Sequence, residues 1–264
     1  TAATNALLER KGARSALVST RGFRDVLQIG RQNRPSLYDL FADPPPALVP
    51  QEMRFEVHER VDCEGQVVKA LDPDELDEIL ANLDKVGAES VAVSLLFSFL
   101  HPAHEKMIGQ ALREAGYSVS LSSEILPEYR EYERTSTTTV NAYVSPVLER
   151  YLGELGRELA GKDGKEAPLR VMQSNGGHIS LGEAQKNGVR CILSGPAGGV
   201  VGAMRVGKAA FASAHTDFAN PEAESVKLIT FDMGGTSTDV SLVDGQAQMT
   251  TDSVVSGCPI RIPV

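Results

Sequence analysis

The chain has 264 residues, of which 42% are apolar and 23% charged, with a net charge of −9 and a pI of about 5.1. Such a composition can bury a sizeable core and is typical of one large globular domain or two modest ones. Its acidic balance, without a basic stripe, argues against nucleic-acid binding, and no apolar run approaches the roughly 18 residues that span a membrane.

The cysteines and the chain ends bear on location and completeness. Cys63, Cys191 and Cys258 are far apart and odd in number, which argues against a disulfide framework or a cysteine-based zinc site. No signal-peptide pattern opens the chain, so we expect a cytoplasmic protein. The opening TAATNALLER is already helical in character and the closing PIRIPV is apolar, so we expect both ends to continue in a longer protein.

The first half of the chain predicts a layered α/β unit, because strand and helix patterns alternate along it. Its predicted elements, in chain order, are a helix over 3–11, a strand over 15–19, a helix over 21–29, a hairpin over 54–71, a helix over 72–85, a strand over 90–96, a helix over 102–115 and a strand over 119–122. The helix at 72–85 has the clearest signals, with Asp72 as its N-terminal cap and Gly87 beyond its end.

The second half predicts two more helices and then a second α/β series. In chain order its predicted elements are helices over 131–143 and 146–159, a linker over 161–168, a strand over 169–173, a helix over 181–186, a strand over 189–193, a helix over 196–211, a loop over 215–224 and strands over 226–232 and 240–243.

The segment LITFDMGGTSTDVSLV carries the strongest chemical signal, since an apolar strand, two glycines, hydroxyl residues and a second apolar strand follow one another. Glycines let a backbone approach a phosphate closely, and successive N–H groups there form an anion-binding concavity. We therefore predict a phosphate-binding turn from Asp232 to Asp239. The predicted nucleotide-binding residues are Gly234, Gly235, Thr236, Ser237 and Thr238.

The two aspartates at the ends of this turn, Asp232 and Asp239, are the predicted catalytic residues. Asp232 is placed to hold Mg²⁺ through water, because magnesium prefers oxygen ligands and keeps several waters. Asp239 can support the same ion or orient a water. A plain tight hairpin with a capping aspartate is the weaker alternative, because both flanking strands and both threonines are present.

Small residues crowd the segment CILSGPAGGVVGA, from Cys191 to Ala203, where Pro196 is expected to begin a helix after a strand. Each glycine inside a helix costs roughly 1 kcal/mol relative to alanine, so this many glycines require close packing or a hinge. A tightly packed core helix without a functional role is the alternative.

Two further segments are weaker candidates for a substrate cleft. Asn175, Gly176 and Gly177 end a strand in a glycine turn, where α/β sheets place ligands, although a plain turn fits equally well. Glu133 and Arg134 either line the cleft or form ion pairs on a helix surface, and the surface interpretation is slightly favoured.

One histidine-containing segment was also weighed as a metal site. His101, His104 and Glu105 lie at a helix start, but they do not make a complete ligand set, so a structural role is favoured.

The order of these segments resembles the actin-like ATPase superfamily and, more closely, the hydantoinase A/oxoprolinase family. TAATNALLERKGARSALVSTRGFRDVLQIGRQNRPSLYDL is similar to that family's N-terminal block. EILPEYREYERTSTTTVNAYVSPVLERYL, VMQSNGG, LSGPAGGVVGA and DMGGTSTDVSLV resemble its later blocks in the same order. The resemblance covers nearly the whole chain.

The resemblance implies an α/β fold of the actin-like ATPase (ribonuclease H-like) type, partial, with an inserted α/β subdomain. Residues 1–145 correspond to the N-terminal hydantoinase/oxoprolinase region, with the subdomain at about 14–125. Residues 146–264 correspond to a truncated hydantoinase A core that holds a connecting helix and the second phosphate loop. The family's first phosphate loop and adenosine-binding segment are expected outside these residues, so we expect this chain alone to bind ATP weakly or not at all.

The resemblance also implies an activity. Family members use ATP and Mg²⁺, and the implied reaction is phosphorylation of a lactam carbonyl before ring-opening hydrolysis, with a second enzyme subunit as partner. The alternatives are a subunit of an ATP-dependent ketone carboxylase of the acetone or acetophenone type, and a non-catalytic actin-like nucleotide-binding module.

Overall fold

The computed structural model describes residues 2–33, 36–39, 41–43, 45–159, 169–214, 227–234 and 238–264. The helices are α1 (Ala2–Leu8), α2 (Val26–Ile29), α3 (Asp74–Val86), α4 (Ala103–Glu114), α5 (Ser122–Ile125), α6 (Glu131–Leu159), α7 (Leu181–Lys186) and α8 (Ser194–Ala214). The strands are β1 (Ser15–Thr20), β2 (Arg54–Val57), β3 (Arg60–Val61), β4 (Val67–Lys69), β5 (Ser90–Ser94), β6 (Ser118–Leu121), β7 (Arg170–Met172), β8 (His178–Ser180), β9 (Lys227–Met233), β10 (Thr238–Asp244), β11 (Ser253–Val255) and β12 (Cys258–Ile260). Short 3-10 turns lie at Gln51–Met53 and Gly188–Cys191.

A parallel sheet forms the centre of the first half of the chain. Its strands lie in the order β2-β1-β5-β6, and each neighbouring pair is parallel. Every residue of β1 and β5 is buried, as expected for inner strands of a parallel sheet covered on both faces. Leu83 of α3, Ile108 of α4 and Ala142 of α6 join the core around this sheet. The predicted α/β unit is therefore confirmed.

The boundaries predicted for helix α3 are confirmed by its capping bonds. The carboxylate of Asp72 accepts a hydrogen bond from the backbone N–H of Asp74 at 3.1 Å. At the other end Gly87 takes the left-handed conformation with φ of 63°, and its N–H donates to the carbonyls of Leu83 and Asp84.

The hairpin predicted over 54–71 is correct only near its turn, at 60–69. Strands β3 and β4 pair antiparallel, but Arg54–Val57 forms β2, which pairs with β1 in the parallel sheet. The reason is burial, because Val57 is fully enclosed in the core of that sheet. The helix predicted over 21–29 shortens to Val26–Ile29, since Gly22 has a φ of 92° that no helix accommodates.

Two helices were predicted where the structure has one continuous helix, α6, with Pro146 inside it. Proline removes one backbone hydrogen bond and disfavours a helix interior. Val144, Leu148 and Leu152, on both sides of the proline, are buried in the same apolar cluster. The packing of this helix face offsets the hydrogen bond that Pro146 removes. Helix propensities read from the sequence do not include that packing.

The strand predicted over 189–193 is wrong, since the structure has the 3-10 turn Gly188–Cys191 there. Side chains of α6 bind this backbone: Asn141 Oδ1 accepts from the N–H of Val189 at 3.0 Å, and Ser145 Oγ from that of Gly188 at 3.2 Å. A short apolar run indicates burial but does not separate a strand from a turn.

The second core lies around α6 beyond the parallel sheet. It contains Leu7 of α1, Leu148 of α6, Ala184 of α7 and Ile260 of β12. Helix α6 thus crosses the predicted division between residues 145 and 146, and that division stays a prediction. The predicted loops at 161–168 and 215–224 lie outside the described residues. Within the described ranges, no helix combines the length and apolarity needed to cross a membrane.

Candidate functional site

The two strands that the sequence predicts on either side of the phosphate turn are present in the structure. Strands β9 and β10 pair antiparallel, and the register sets Asp232 directly opposite Asp239. Residues directly opposite in an antiparallel pair project to the same face, so both carboxylates lie on one side of the hairpin. Gly234 and Thr238 border the turn, whereas the predicted donors at 235–237 lie outside the described residues.

The glycine-rich helix α8 packs against this hairpin. A Cβ atom added to Gly199 would lie 3.7 Å from Oδ2 of Asp232, so the bare backbone of α8 faces that carboxylate. The neighbouring Gly198 faces Met172 of β7, whose Cε would lie 3.5 Å from an added Cβ. Both distances are ordinary van der Waals contacts that an alanine could make, so the close packing or hinge predicted from these glycines stays a prediction, while Gly199 adjoins a predicted catalytic residue.

The turn at 173–177 also lies against helix α8. Gly176 has a φ of 76°, and a Cβ there would approach Cγ2 of Val201 to 2.8 Å. Inside the turn, Asn175 Oδ1 accepts a hydrogen bond from the N–H of Gly177 at 2.9 Å. The structure thus brings the glycine turn and the phosphate hairpin to the same helix, while the ligand role of Asn175, Gly176 and Gly177 stays a prediction.

Glu133 and Arg134 are not helix-surface ion pairs, so the slightly favoured interpretation is wrong. The Glu133 carboxylate is buried and accepts a hydrogen bond from Nε of Arg31 at 2.6 Å. Arg134 is buried too, donates to the carbonyl of Leu95 at 2.8 Å and stacks over the ring of Phe99. Both residues face inward because nearly the whole first half of α6 is covered by other elements.

Burial also changes the acidity of Arg134. Removal from water lowers the pKa of its guanidinium below the ordinary value, and the charges of Glu105 and Glu131 oppose that shift. Its bonds to backbone carbonyls hold helix α6 to the parallel sheet, which is a structural role.

A cavity of about 850 Å³ lies beside the first half of helix α6, and we call it the α6 cavity. Its walls come from residues 27–33, residues 45–48, the α6 residues Tyr132, Glu133, Ser136 and Thr139, and part of the segment 252–261. Of the residues predicted from sequence to form a site, Glu133 is the one that lines it. The other wall residues were missed. Some of them fall in the segments RQNRPSLYDL and TSTTT that carry the family resemblance, namely Arg31, Gln32, Asn33, Ser136 and Thr139, whereas those at 45–48 and 252–261 have no such signal.

The histidine-containing segment has a structural role, as favoured. Glu105 is fully buried and accepts hydrogen bonds from the N–H groups of Leu95 and Ser123 and the hydroxyl of Ser122. His104 pairs with Glu59 at 2.8 Å. The described residues contain no group of three or more histidine, cysteine or acidic side chains placed to hold a metal.

With this geometry in place, comparison with known proteins decides the family. Residues 1–116 match the hydantoinase/oxoprolinase N-terminal region, and residues 134–264 match hydantoinase/oxoprolinase. The chain belongs to the hydantoinase/oxoprolinase family. One relative is 5-oxoprolinase 1 of Arabidopsis thaliana, 40% identical over 283 residues that cover 100% of this chain and 21% of the relative.

Two solved structures support the family fold. The ATP-dependent caprolactamase from Pseudomonas jessenii superposes with a TM-score of 0.81 at 32% identity, and nucleotide-free acetone carboxylase with a TM-score of 0.82 at 27% identity. Each match covers 100% of this chain and 37% of the solved chain. The predicted actin-like ATPase fold is confirmed, and the chain spans between a fifth and two fifths of these proteins.

Proposed function

We propose that this chain is the part of an ATP-dependent cyclic amidase that holds one side of the nucleotide phosphates. The observation that carries the proposal is the hairpin β9–β10, which sets Asp232 opposite Asp239 against the bare backbone at Gly199. Family membership and the names of the relatives, an oxoprolinase and an ATP-dependent caprolactamase, supply the reaction class.

The residues present fit a magnesium ion bound through water. Asp232 is exposed, Asp239 is half-buried, and their paired register directs two carboxylates to one face. Because Gly199 has no side chain, the space beside Oδ2 of Asp232 stays open for water. Oxygen ligands with several retained waters are what Mg²⁺ requires. Asp232 and Asp239 would hold the ion through water, and a bound Mg²⁺ would supply positive charge that stabilises the phosphoryl group during transfer.

The chain's own contribution is positioning and charge stabilisation. Backbone N–H groups of a glycine turn donate to phosphate oxygens, and this preorganised arrangement stabilises charge that develops during phosphoryl transfer. Phosphorylation of the amide oxygen makes the ring carbon more electrophilic, so that water adds to it. The ring C–N bond then breaks, with the nitrogen taking a proton, and a second water hydrolyses the resulting acyl phosphate to a carboxylate and phosphate. Asp239 is proposed to orient water or the ion, and Gly234 and Thr238 to hold the turn in shape.

A ketone carboxylase subunit is the second candidate, favoured by the acetone carboxylase structure whose TM-score is 0.82. The hairpin chemistry serves both reactions, because the enolate oxygen of a ketone can also accept the phosphoryl group. The enol phosphate is then held until its carbon attacks carbon dioxide, the O–P bond breaks and water takes the phosphoryl group. A second enzyme subunit is part of either proposal.

The test is lactam-dependent ATP hydrolysis by the full-length protein that contains this chain. The Asp232→Asn variant removes a charge while keeping the side-chain shape, and we expect its kcat to fall by roughly 100-fold or more. The matched control is Asp244→Asn, an acidic residue at the opposite end of the same hairpin, which we expect to retain activity within about twofold.

The substrate decides among the candidates. ATP hydrolysis stimulated by lactams supports the amidase, and stimulation by a ketone with bicarbonate supports the carboxylase. A rate indifferent to every cyclic amide and ketone would leave a non-catalytic nucleotide module. Unchanged turnover of Asp232→Asn contradicts the assigned role of the hairpin in any of these proteins.

A further inference from the structure

The backbone turns sharply at Leu193, the residue that precedes helix α8. Its φ is 60°, in the left-handed region that residues with a branched or bulky side chain rarely adopt. Its carbonyl accepts a hydrogen bond from the N–H of Ala197 at 3.3 Å, so Leu193 is the N-cap residue of the helix. N-cap residues normally have an extended backbone and a side chain that accepts a hydrogen bond, and Leu193 has neither. The start of α8 is therefore strained.

A side chain from helix α1 holds Leu193 in this conformation. Oγ1 of Thr4 accepts a hydrogen bond from the N–H of Leu193 at 2.9 Å, although the two residues are 189 positions apart. The Leu193 side chain packs against the second core, which includes Leu7 of α1. A strained conformation persists only when its surroundings over-determine it. Here the Thr4 hydroxyl fixes the backbone and the core fixes the side chain, so leucine occupies a position that glycine would adopt without strain.

Thr4 is itself held firmly by the fold. Ala3 and Leu7, on either side of it in α1, are 1% and 0% exposed and belong to the second core. Just beyond α1, the N–H of Ala13 donates to the carbonyl of Tyr143 at 2.9 Å and attaches this segment to helix α6. The hydroxyl that holds Leu193 is therefore presented from a well-anchored helix. We call the hydrogen bond between Thr4 and Leu193 the Thr4 clamp.

The Thr4 clamp lies close to the phosphate hairpin along helix α8. Gly199 is six residues beyond Leu193, which at 1.5 Å per residue is about 9 Å along the helix axis. A Cβ added to Gly199 would lie 3.7 Å from Oδ2 of Asp232. A helix is a rigid element over so few turns, so a displacement of its first residue is carried to Gly199. The direction in which α8 begins thus decides where its bare backbone meets Asp232.

We propose that Thr4 is a positioning residue for the nucleotide site, because it holds Leu193 in the left-handed conformation and thereby keeps helix α8 beside the Asp232 carboxylate. This inference rests on the proposed role of hairpin β9–β10 in phosphate binding and adds to it a residue outside the hairpin and outside α8. Without the Thr4 clamp, Leu193 can relax to a common backbone conformation that redirects the start of α8. The apparent affinity for Mg-ATP then falls with the fraction of molecules in the native arrangement, while turnover at saturation is retained.

The experiment measures ATP hydrolysis by the full-length protein that contains this chain, together with hydrogen exchange of helix α8. Thr4→Val removes the hydroxyl at nearly constant shape. We expect its KM for Mg-ATP to rise roughly 3- to 10-fold, with kcat within about twofold of the wild type, and its amides at 194–200 to exchange faster. Thr4→Ser keeps the hydroxyl and should have a KM within about twofold of the wild type.

Thr137→Val is the matched control. Oγ1 of Thr137 also accepts a hydrogen bond from a distant backbone N–H, that of Arg261 at 3.0 Å, but this bond lies outside helix α8 and the hairpin. Thr137 is fully buried, so its replacement should lower the unfolding midpoint at least as much as Thr4→Val does. Its KM for Mg-ATP should stay unchanged, which separates positioning of the nucleotide site from a general loss of stability.

An unchanged KM in Thr4→Val overturns the positioning role, as does an equal rise in KM in Thr4→Ser or in Thr137→Val. The Asp232→Asn variant keeps this inference distinct from the proposed function. Loss of turnover in Asp232→Asn with an unchanged KM in Thr4→Val refutes the Thr4 clamp alone. A raised KM in Thr4→Val with intact turnover in Asp232→Asn refutes the role of the hairpin and leaves Thr4 as a residue that positions helix α8.

Discussion

Replacement of Gly199 by alanine separates two consequences of one methyl group. The new Cβ would lie 3.7 Å from Oδ2 of Asp232, an ordinary van der Waals distance, so the helix should tolerate it. Alanine is more favourable than glycine inside a helix by roughly 1 kcal/mol. That gain should slow local opening of α8, and its amides should exchange with solvent roughly fivefold more slowly.

The same methyl group should weaken nucleotide binding. It covers the side of the Asp232 carboxylate where a bridging water would lie, and a water-mediated contact is worth about as much as a direct hydrogen bond. Loss of one such contact corresponds to roughly 0.5–1.5 kcal/mol, or a KM for Mg-ATP raised about 2- to 12-fold. We therefore expect Gly199→Ala to have a more stable helix α8 and weaker binding of Mg-ATP.

Gly202→Ala is the control for this pair of effects. It lies in the same helix, and within the part of the chain that the structure describes no atom comes within 4 Å of an added Cβ. Its amides should show the same protection while its KM for Mg-ATP stays unchanged. The measurements are hydrogen exchange and steady-state ATP hydrolysis of the full-length protein. Identical KM values for Gly199→Ala and Gly202→Ala would refute the role assigned to the face of Asp232 next to helix α8.

Three predictions concern the scaffold. Gly12→Ala should destabilise the fold by about 1–3 kcal/mol in denaturant, because its Cβ would lie 2.2 Å from the buried ring of Tyr143. Glu105→Gln should lower the free energy of unfolding by about 2–4 kcal/mol, because the amide NH₂ replaces one carboxylate oxygen and then faces an N–H donor, of Leu95 or of Ser123. An unchanged unfolding midpoint contradicts this. Burial raises the pKa of the Cys191 thiol to about 11. Because the folded state favours the neutral thiol, its contribution to stability is complete below pH about 9 and is lost as the pH rises toward 11. The denaturation midpoint should therefore fall less across this window in Cys191→Ala than in the wild type.

Local sequence pattern was sufficient to predict those elements whose conformation depends mainly on neighbouring residues. The caps of helix α3 at Asp72 and Gly87, the buried strands β1 and β5, and the hairpin around the phosphate turn all follow from neighbouring residues. Capping residues, short apolar runs and glycine turns each lie within a few consecutive residues, so they can be recognised without knowledge of the rest of the chain.

Prediction failed where distant contacts outweigh local preference. Pro146 lies inside a continuous helix because one apolar cluster covers α6 on both sides of it. The run at 189–193 is not a strand, because Asn141 and Ser145, more than 40 residues away in sequence, satisfy its backbone. Neither contact leaves a local signature in the sequence.

The sequence by itself determined the family, the α/β class and the pair of aspartates, since each is written in a contiguous motif. Only the tertiary structure decided which residues lie together: Gly199 lies beside Asp232, and Glu133 is buried against Arg31. Hydrogen bonding and burial depend on what each side chain contacts in space, and residues such as Arg31 and Glu133, which are 102 positions apart, come into contact only after folding.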